Sequence, residues 1–263
     1  MRVRARIAVE VKGCLRSLRF SRANRPTLSS NRVRGKIVHM AIGVGSGIYT
    51  PAEASRLTGL PVRKVRGWIS GYRRYDGTHR SGRPLVSRDP SDGPVLSFLD
   101  LIEILFVRSF LKYGVKMSHI RQVSRKAAEI SGSHHPFAVS RFETDGKKIF
   151  ARLVAKGSRK KHVLGLLDGQ SEIDEAISPY FKQIDYRSSG DATRWWPLGK
   201  KAPVFLDPLV AFGAPVTKSG FVPVSAINGA LSAGETPSRV AHWFDIPLRD
   251  VKAAAAFKQR IAA

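Results

Sequence analysis

Cysteine is all but missing from this 263-residue chain: Cys14 stands alone, so no internal disulfide can form and no paired-thiolate metal site can be built. That fits a reducing, cytoplasmic compartment. Acidic residues are also scarce, 20 against 45 lysines and arginines, which leaves a formal charge of +25. A polyanion is the expected partner, nucleic acid ahead of an anionic membrane. No apolar run approaches the roughly 20 residues that span a bilayer, so the body reads as soluble with no membrane partner. No phosphate-cradling glycine motif occurs either. The length is ample for more than one buried core without covalent staples.

The basicity is uneven but not confined to one end. Residues 1–39 hold eleven lysines or arginines against Glu10 alone, about +10, and the remainder still carries about +15. Residues 1–45 therefore read as a basic disordered leader or as the product of a misassigned start. An organellar targeting peptide has a similar composition. A start at Met40, which opens MAIGVGSGIYTPAEA, is the favoured reading.

The stretch from Tyr49 to Arg74 organises the rest. Thr50 can cap a helix, Pro51 suits its first position, and Glu53 completes a capping box. Ala54 and Leu57 mark its inward face, Gly59 supplies a left-handed stop, and Pro61 reopens helical geometry. On the second helix Val62, Val65 and Ile69 recur at helical spacing, which leaves Arg63, Lys64 and Arg66 on other faces. A helix-turn-helix lays its second helix in the major groove, where such cations meet guanine acceptors and phosphates. These three are the candidate DNA contacts. The polar loop that follows adds Arg73, Arg74, Arg80 and Arg83 as a basic wing, and a plain solvated linker has the same composition.

Ser97 and Asp100 can cap a very apolar helix running from Phe98 to Phe110, with Gly114 beyond its end. Such a helix is core, although it could also supply a dimer interface matching palindromic operators. Ser118 can start the next helix, through Ile120, Val123, Ala127 and Ile130 to Gly132. From Pro136 the period shifts toward two. AVSRFETDGKKIFARLVA reads as a hairpin about Asp145–Gly146, HVLGLLDGQ as a further strand, and Ile173 to Tyr180 as a short helix broken near Pro179. FKQIDY and ATRWWPL can then pair across the Arg187 to Asp191 turn, with APVFLDP as an edge. Consecutive tryptophans on a strand face opposite ways, so Trp195 and Trp196 are expected to split between core and an interface anchor, a stronger reading than base stacking. The last 55 residues are expected to form three helices: Val224 to Ala233, one capped at Thr236–Pro237, and one from Asp245–Ile246–Pro247 to about Ile261.

Catalysis finds little support in these residues. His134 and His135 are adjacent rather than four apart on a helix, and no cysteine pair accompanies them. Asp168, Glu172, Asp174 and Glu175 could hold magnesium, but their crowding suits the acidic first turn of a helix better. A non-enzymatic protein with no metal and no cofactor is expected.

Two resemblances add to this reading. TPAEASRLTGLPVRKVRGW, a basic wing and KYGVKMSHIR resemble the N-terminal domain of MerR-type regulators, without that family's long coiled coil. FGAPV, GFVPVSAI, GALSAGETPSRVAHWF and PLRDVKAAAAF resemble the family of domain of unknown function 433. Together they make residues 46–263 similar to the long VapB-type antitoxins. That resemblance implies operator DNA and a PIN-like ribonuclease toxin as partners, and autorepression; a homodimer is expected with it, and the alternative is a MerR-like regulator with no toxin. The fold class expected is α+β, mainly α. A winged helix-turn-helix with two further helices would occupy residues 46–132, a small antiparallel β section 133–208, and a three-helix, helix-turn-helix-like unit 209–263. That last unit could bind toxin, DNA or its own copy, and its net charge of about +3 leans toward protein.

Overall fold

Helix α1 (Pro51–Thr58) begins where its sequence can cap it. Thr50 Oγ1 accepts the Glu53 N–H at 3.2 Å, and Glu53 Oε2 accepts the Thr50 N–H at 2.8 Å. The computed structural model describes residues 46–72, 84–85, 95–112, 114–139 and 178–262, all within the compact unit Val38–Ala263. Gly59, at φ 65° and ψ 22°, terminates α1 in the left-handed region, and α2 (Val62–Ser70) follows at once. A β-carbon at that φ is strained. Gly59→Ala is expected to lower the free energy of unfolding by about 1–2 kcal/mol, read as an earlier urea midpoint.

Helix α3 (Phe98–Lys112) starts with a second capping box, in which Ser97 N–H donates to Asp100 at 2.8 Å and Asp100 N–H to Ser97 Oγ at 3.1 Å. It is apolar on nearly every face and is buried accordingly: Phe98, Leu101, Ile102, Ile104, Leu105, Phe106, Val107 and Phe110 are each at most 2% exposed. These eight side chains are covered by the chain's own core and are not free for a dimer interface. Tyr49 and Leu96 exchange two backbone hydrogen bonds, at 2.9 and 2.7 Å, which tie the segments leading into α1 and α3 together.

Helix α4 (Met117–Ser131) begins one residue before Ser118, with Lys116 at the cap position and no side-chain cap bond, so Ser118 is not the cap. Gly132 ends it at φ 65°. Ile120, Val123 and Ala127 are buried as their spacing requires, whereas Ile130 is 47% exposed. A 3-10 turn, Pro136–Ala138, then packs on α3, and Glu103 Oε1 accepts the Phe137 and Ala138 N–H groups at 2.5 and 3.2 Å. Burial pushes the Glu103 carboxyl up to about 8, against the lowering effect of those two amides and with a further raise from Asp100.

Residues 178–182 are helical, so the chain is helical through Pro179 and beyond it. Strand β1 (Ile184–Tyr186) pairs antiparallel with β2 (Ala192–Trp195) across the expected turn. Strand β3 (Val204–Phe205) joins through two Trp195–Leu206 backbone bonds of 2.9 Å, and it also pairs with β4 (Val216–Thr217), a partner the alternation did not reveal. Both tryptophans are buried, which overturns the expected division into core and interface anchor. Strand β2 ends at Trp195, so Trp196 escapes the alternation; its ring lies 5.1 Å from that of Phe205, and its Nε1–H donates to Asp185 at 2.7 Å. Neither ring is open to a base.

The chain closes with α5 (Val224–Ser232), α6 (Pro237–Trp243) and α7 (Leu248–Ala262), packed around Ile227, Val240, Val251, Ala254 and Phe257. This unit is joined to the first helices directly. The Tyr49 hydroxyl donates to the Gly213 carbonyl at 2.8 Å, Leu57 packs on the C-terminal core, and α1 touches α7. Burial raises the Tyr49 phenol, reinforced by the charges of Asp207 and Glu53, so it stays a neutral donor. The fold is α+β and mainly α. The basic leader, the Asp145–Gly146 hairpin, the HVLGLLDGQ strand and most of the helix expected from Ile173 lie outside the described residues.

Candidate nucleic-acid interface

The second helix of the pair is held from beneath and bare on top. Val65, Trp68 and Ile69 are buried, and Arg63, Lys64 and Arg66 are exposed. Gly67 is required at its position: a β-carbon there would lie 2.3 Å from the Tyr72 ring, so Tyr72 closes over α2 only because that site has no side chain. Leu85 N–H donates to the Trp68 carbonyl at 2.7 Å and fastens the end of the helix. The turn is fastened too. Ser55 Oγ donates to the Leu60 carbonyl at 2.5 Å, and the buried Thr58 hydroxyl donates to Ala54 at 2.5 Å.

The first turn of α2 contains no acidic residue and Pro61 makes no side-chain cap bond, so its N-terminal partial positive charge is not countered by an acid there. Three exposed cations beside such a helix end form an anion-directed surface. Arg63, Lys64 and Arg66 are thus brought together on one short helix. Arg73, Arg74, Arg80 and Arg83 lie outside the described residues. Trp68 and the Gly67–Tyr72 closure are additions to the sequence reading; Trp68 stands one helical step, three residues, after Val65 and so shares the face of the Val62–Val65–Ile69 stripe.

Residues 47–123 match a family model described as "Putative DNA-binding HTH domain", and residues 204–257 match "Protein of unknown function (DUF433)". The Mycobacterium tuberculosis (strain ATCC 25618 / H37Rv) protein "Putative antitoxin VapB45" is 30% identical over 212 residues, spanning 76% of this chain and 88% of that protein. The chain belongs to the VapB-type antitoxin family. The crystal structure of Rv2018 from Mycobacterium tuberculosis has the same overall fold, with a TM-score of 0.59 at 24% identity over 79% of this chain and 96% of that one. In this VapB-type chain, then, α1 and α2 are part of a DNA-binding helix-turn-helix domain.

Among the described residues, the other candidates converge on no reacting centre. His135 Nδ1 lies 3.7 Å from Asp100, while His134 is exposed. A polar cleft of about 440 Å³ lies beside them, lined by both histidines, Ser133, Ser189 and Asp191 among others. Among the described residues no three His, Cys, Asp or Glu side chains are grouped to hold a metal ion. Asp168, Glu172, Asp174 and Glu175 lie outside those residues. No helix among the described residues is long and apolar enough to cross a membrane.

Proposed function

We propose that the chain is the antitoxin of a type II toxin–antitoxin pair. It covers the active cleft of a PIN-like ribonuclease and, as a homodimer in the cytoplasm, occupies operator DNA to repress its own operon. It acts by binding and not by catalysis. The observation that carries the DNA half is the exposure of Arg63, Lys64 and Arg66 on a helix whose opposite face is anchored by Val65, Trp68 and Ile69. The toxin half is supported by the name of the relative. Wing arginines Arg73, Arg74, Arg80 and Arg83 are assigned to phosphates, where they would add affinity without sequence choice.

The test is recovery of the chain with its partners from its native cell, followed by a ribonuclease assay of the partner alone and in complex. A small nuclease that cleaves RNA alone and is silent in the complex is the expected result. Recovery of DNA with no stable protein partner would replace this reading with that of a regulator lacking a toxin.

A further inference from the structure

The C-terminal unit repeats the first helix-turn-helix without a gap, each position 186 residues further along. Thr50–Pro51 corresponds to Thr236–Pro237, Ala54 to Val240, and Gly59–Leu60–Pro61 to Asp245–Ile246–Pro247. Arg63, Val65 and Arg66 correspond to Arg249, Val251 and Lys252. The local structures agree with the alignment. Thr50 (φ −70°, ψ 157°) and Thr236 (φ −74°, ψ 147°) each accept from the amide three residues on, at 3.2 and 3.3 Å. Ala54 and Val240 are fully buried, as are Val65 and Val251, and Leu60 and Ile246 are both buried between the helices.

The turn is the most telling point. Gly59 sits at φ 65° and Asp245 at φ 50°, so the second copy keeps the left-handed turn without a glycine. Aspartate is among the few residues that tolerate this region, and even so only where the surroundings impose it. The same packing therefore dictates the same turn twice.

On α7 the exposed residues Arg249, Lys252, Ala256 and Gln259 recur at spacings of three, four and three, forming one stripe along the helix. Arg249 is 77% exposed. Ala256 leaves room for close approach. Flanking it on α6, Arg239 stacks over the half-exposed Trp243 ring at 5.3 Å. The modest net charge of this unit conceals the asymmetry, because one of its three acids is fully buried: Asp250 accepts the Ser219 N–H at 3.1 Å. Asp250 replaces Lys64 and lies 3.5 Å from Arg249 Nε, so the second surface has fewer cations in its first turn than α2. That contact is an ion pair without a hydrogen bond, since Asp250 Oδ1 accepts none.

We propose that α6 and α7 form a second DNA-binding helix-turn-helix, with Arg249 and Lys252 contacting a second segment of duplex DNA, so that one chain grips two segments. The proposal takes its chemistry from the DNA reading of α2, and its geometry from the repeat. The second contact is the weaker of the two, because Asp250 stands where α2 has a lysine.

The experiment uses the full chain, a labelled duplex spanning the DNA immediately upstream of its own coding region, and a random-sequence duplex of equal length. Binding by anisotropy across salt and a hydroxyl-radical footprint are compared for R63A/R66A, R249A/K252A and the unaltered chain. R249A/K252A is expected to bind the upstream duplex about tenfold more weakly, with a salt slope shallower by roughly two and part of the footprint lost. All four side chains are exposed, so unchanged thermal unfolding serves as the control. An unchanged affinity, slope and footprint for R249A/K252A would overturn the proposal. A loss in R249A/K252A with none in R63A/R66A would uphold it and reject the α2 reading; no loss in either pair would reject both.

Discussion

Arg63→Ala and Arg66→Ala each weaken binding to operator DNA by about 1–3 kcal/mol if the side chain reads a base edge, and leave folding stability within about 0.5 kcal/mol. The two effects separate because both side chains are exposed while the residues that hold α2 are not. Removing an exposed arginine opens no cavity and strands no buried partner. Their proximity on one helix makes the double variant's loss differ from the sum of the singles. Competition between operator and random duplex then sorts the roles: a base-reading arginine loses discrimination, and a phosphate-binding one loses affinity on both duplexes and flattens the salt dependence. Affinity unchanged in both single variants would remove α2 from the DNA interface.

The second large effect is on stability as a function of pH. The folded chain keeps the Glu103 proton to about pH 8, whereas the unfolded chain releases it near the ordinary carboxyl value of 4.5. Between those values the folded state holds the extra proton. Stability therefore falls as pH rises through this window and levels off above about 8, with a total effect on the order of a few kcal/mol. Glu103→Gln keeps an oxygen for the Phe137 and Ala138 amides and abolishes the titration. Urea unfolding from about pH 5 to about pH 8 is expected to show a shallower decline for Glu103→Gln than for the unaltered chain, and a more stable variant at the upper end. Parallel profiles would mean that the carboxyl is ionised in the folded core. The comparison is made between the two proteins so that every other titrating group contributes alike to both profiles.

The elements legible in the sequence are those whose signals are local. Thr50, Pro51, Glu53 and Gly59 bound α1 through contacts within a few residues, and the Ser97–Asp100 box and the Thr236 cap work the same way. The apolar density of α3 announced its burial, since a helix without a polar face has to lie inside. Strand alternation found the β1–β2 pairing but failed at Trp196, where the strand ends and a distant Phe205 and Asp185 decide the ring's place. The β3–β4 pair was missed because strands of two residues are too short to show a period.

For the candidate interface, the helical spacing of Val62, Val65 and Ile69 was enough to separate Arg63, Lys64 and Arg66 from the buried face. It could not show that Gly67 is bare to admit Tyr72, nor that Leu57 reaches the C-terminal core, because those neighbours are set by chain segments the local pattern does not contain. The same holds for Glu103: on the sequence it is one charged residue in an apolar helix, and only the return of Pro136–Ala138 onto α3 buries it and gives it two amides. Short-range chemistry in the sequence determined where the helices start and stop and which cations α2 displays. Tertiary structure alone decided which polar groups are taken from water, because that depends on surfaces brought together from far along the chain.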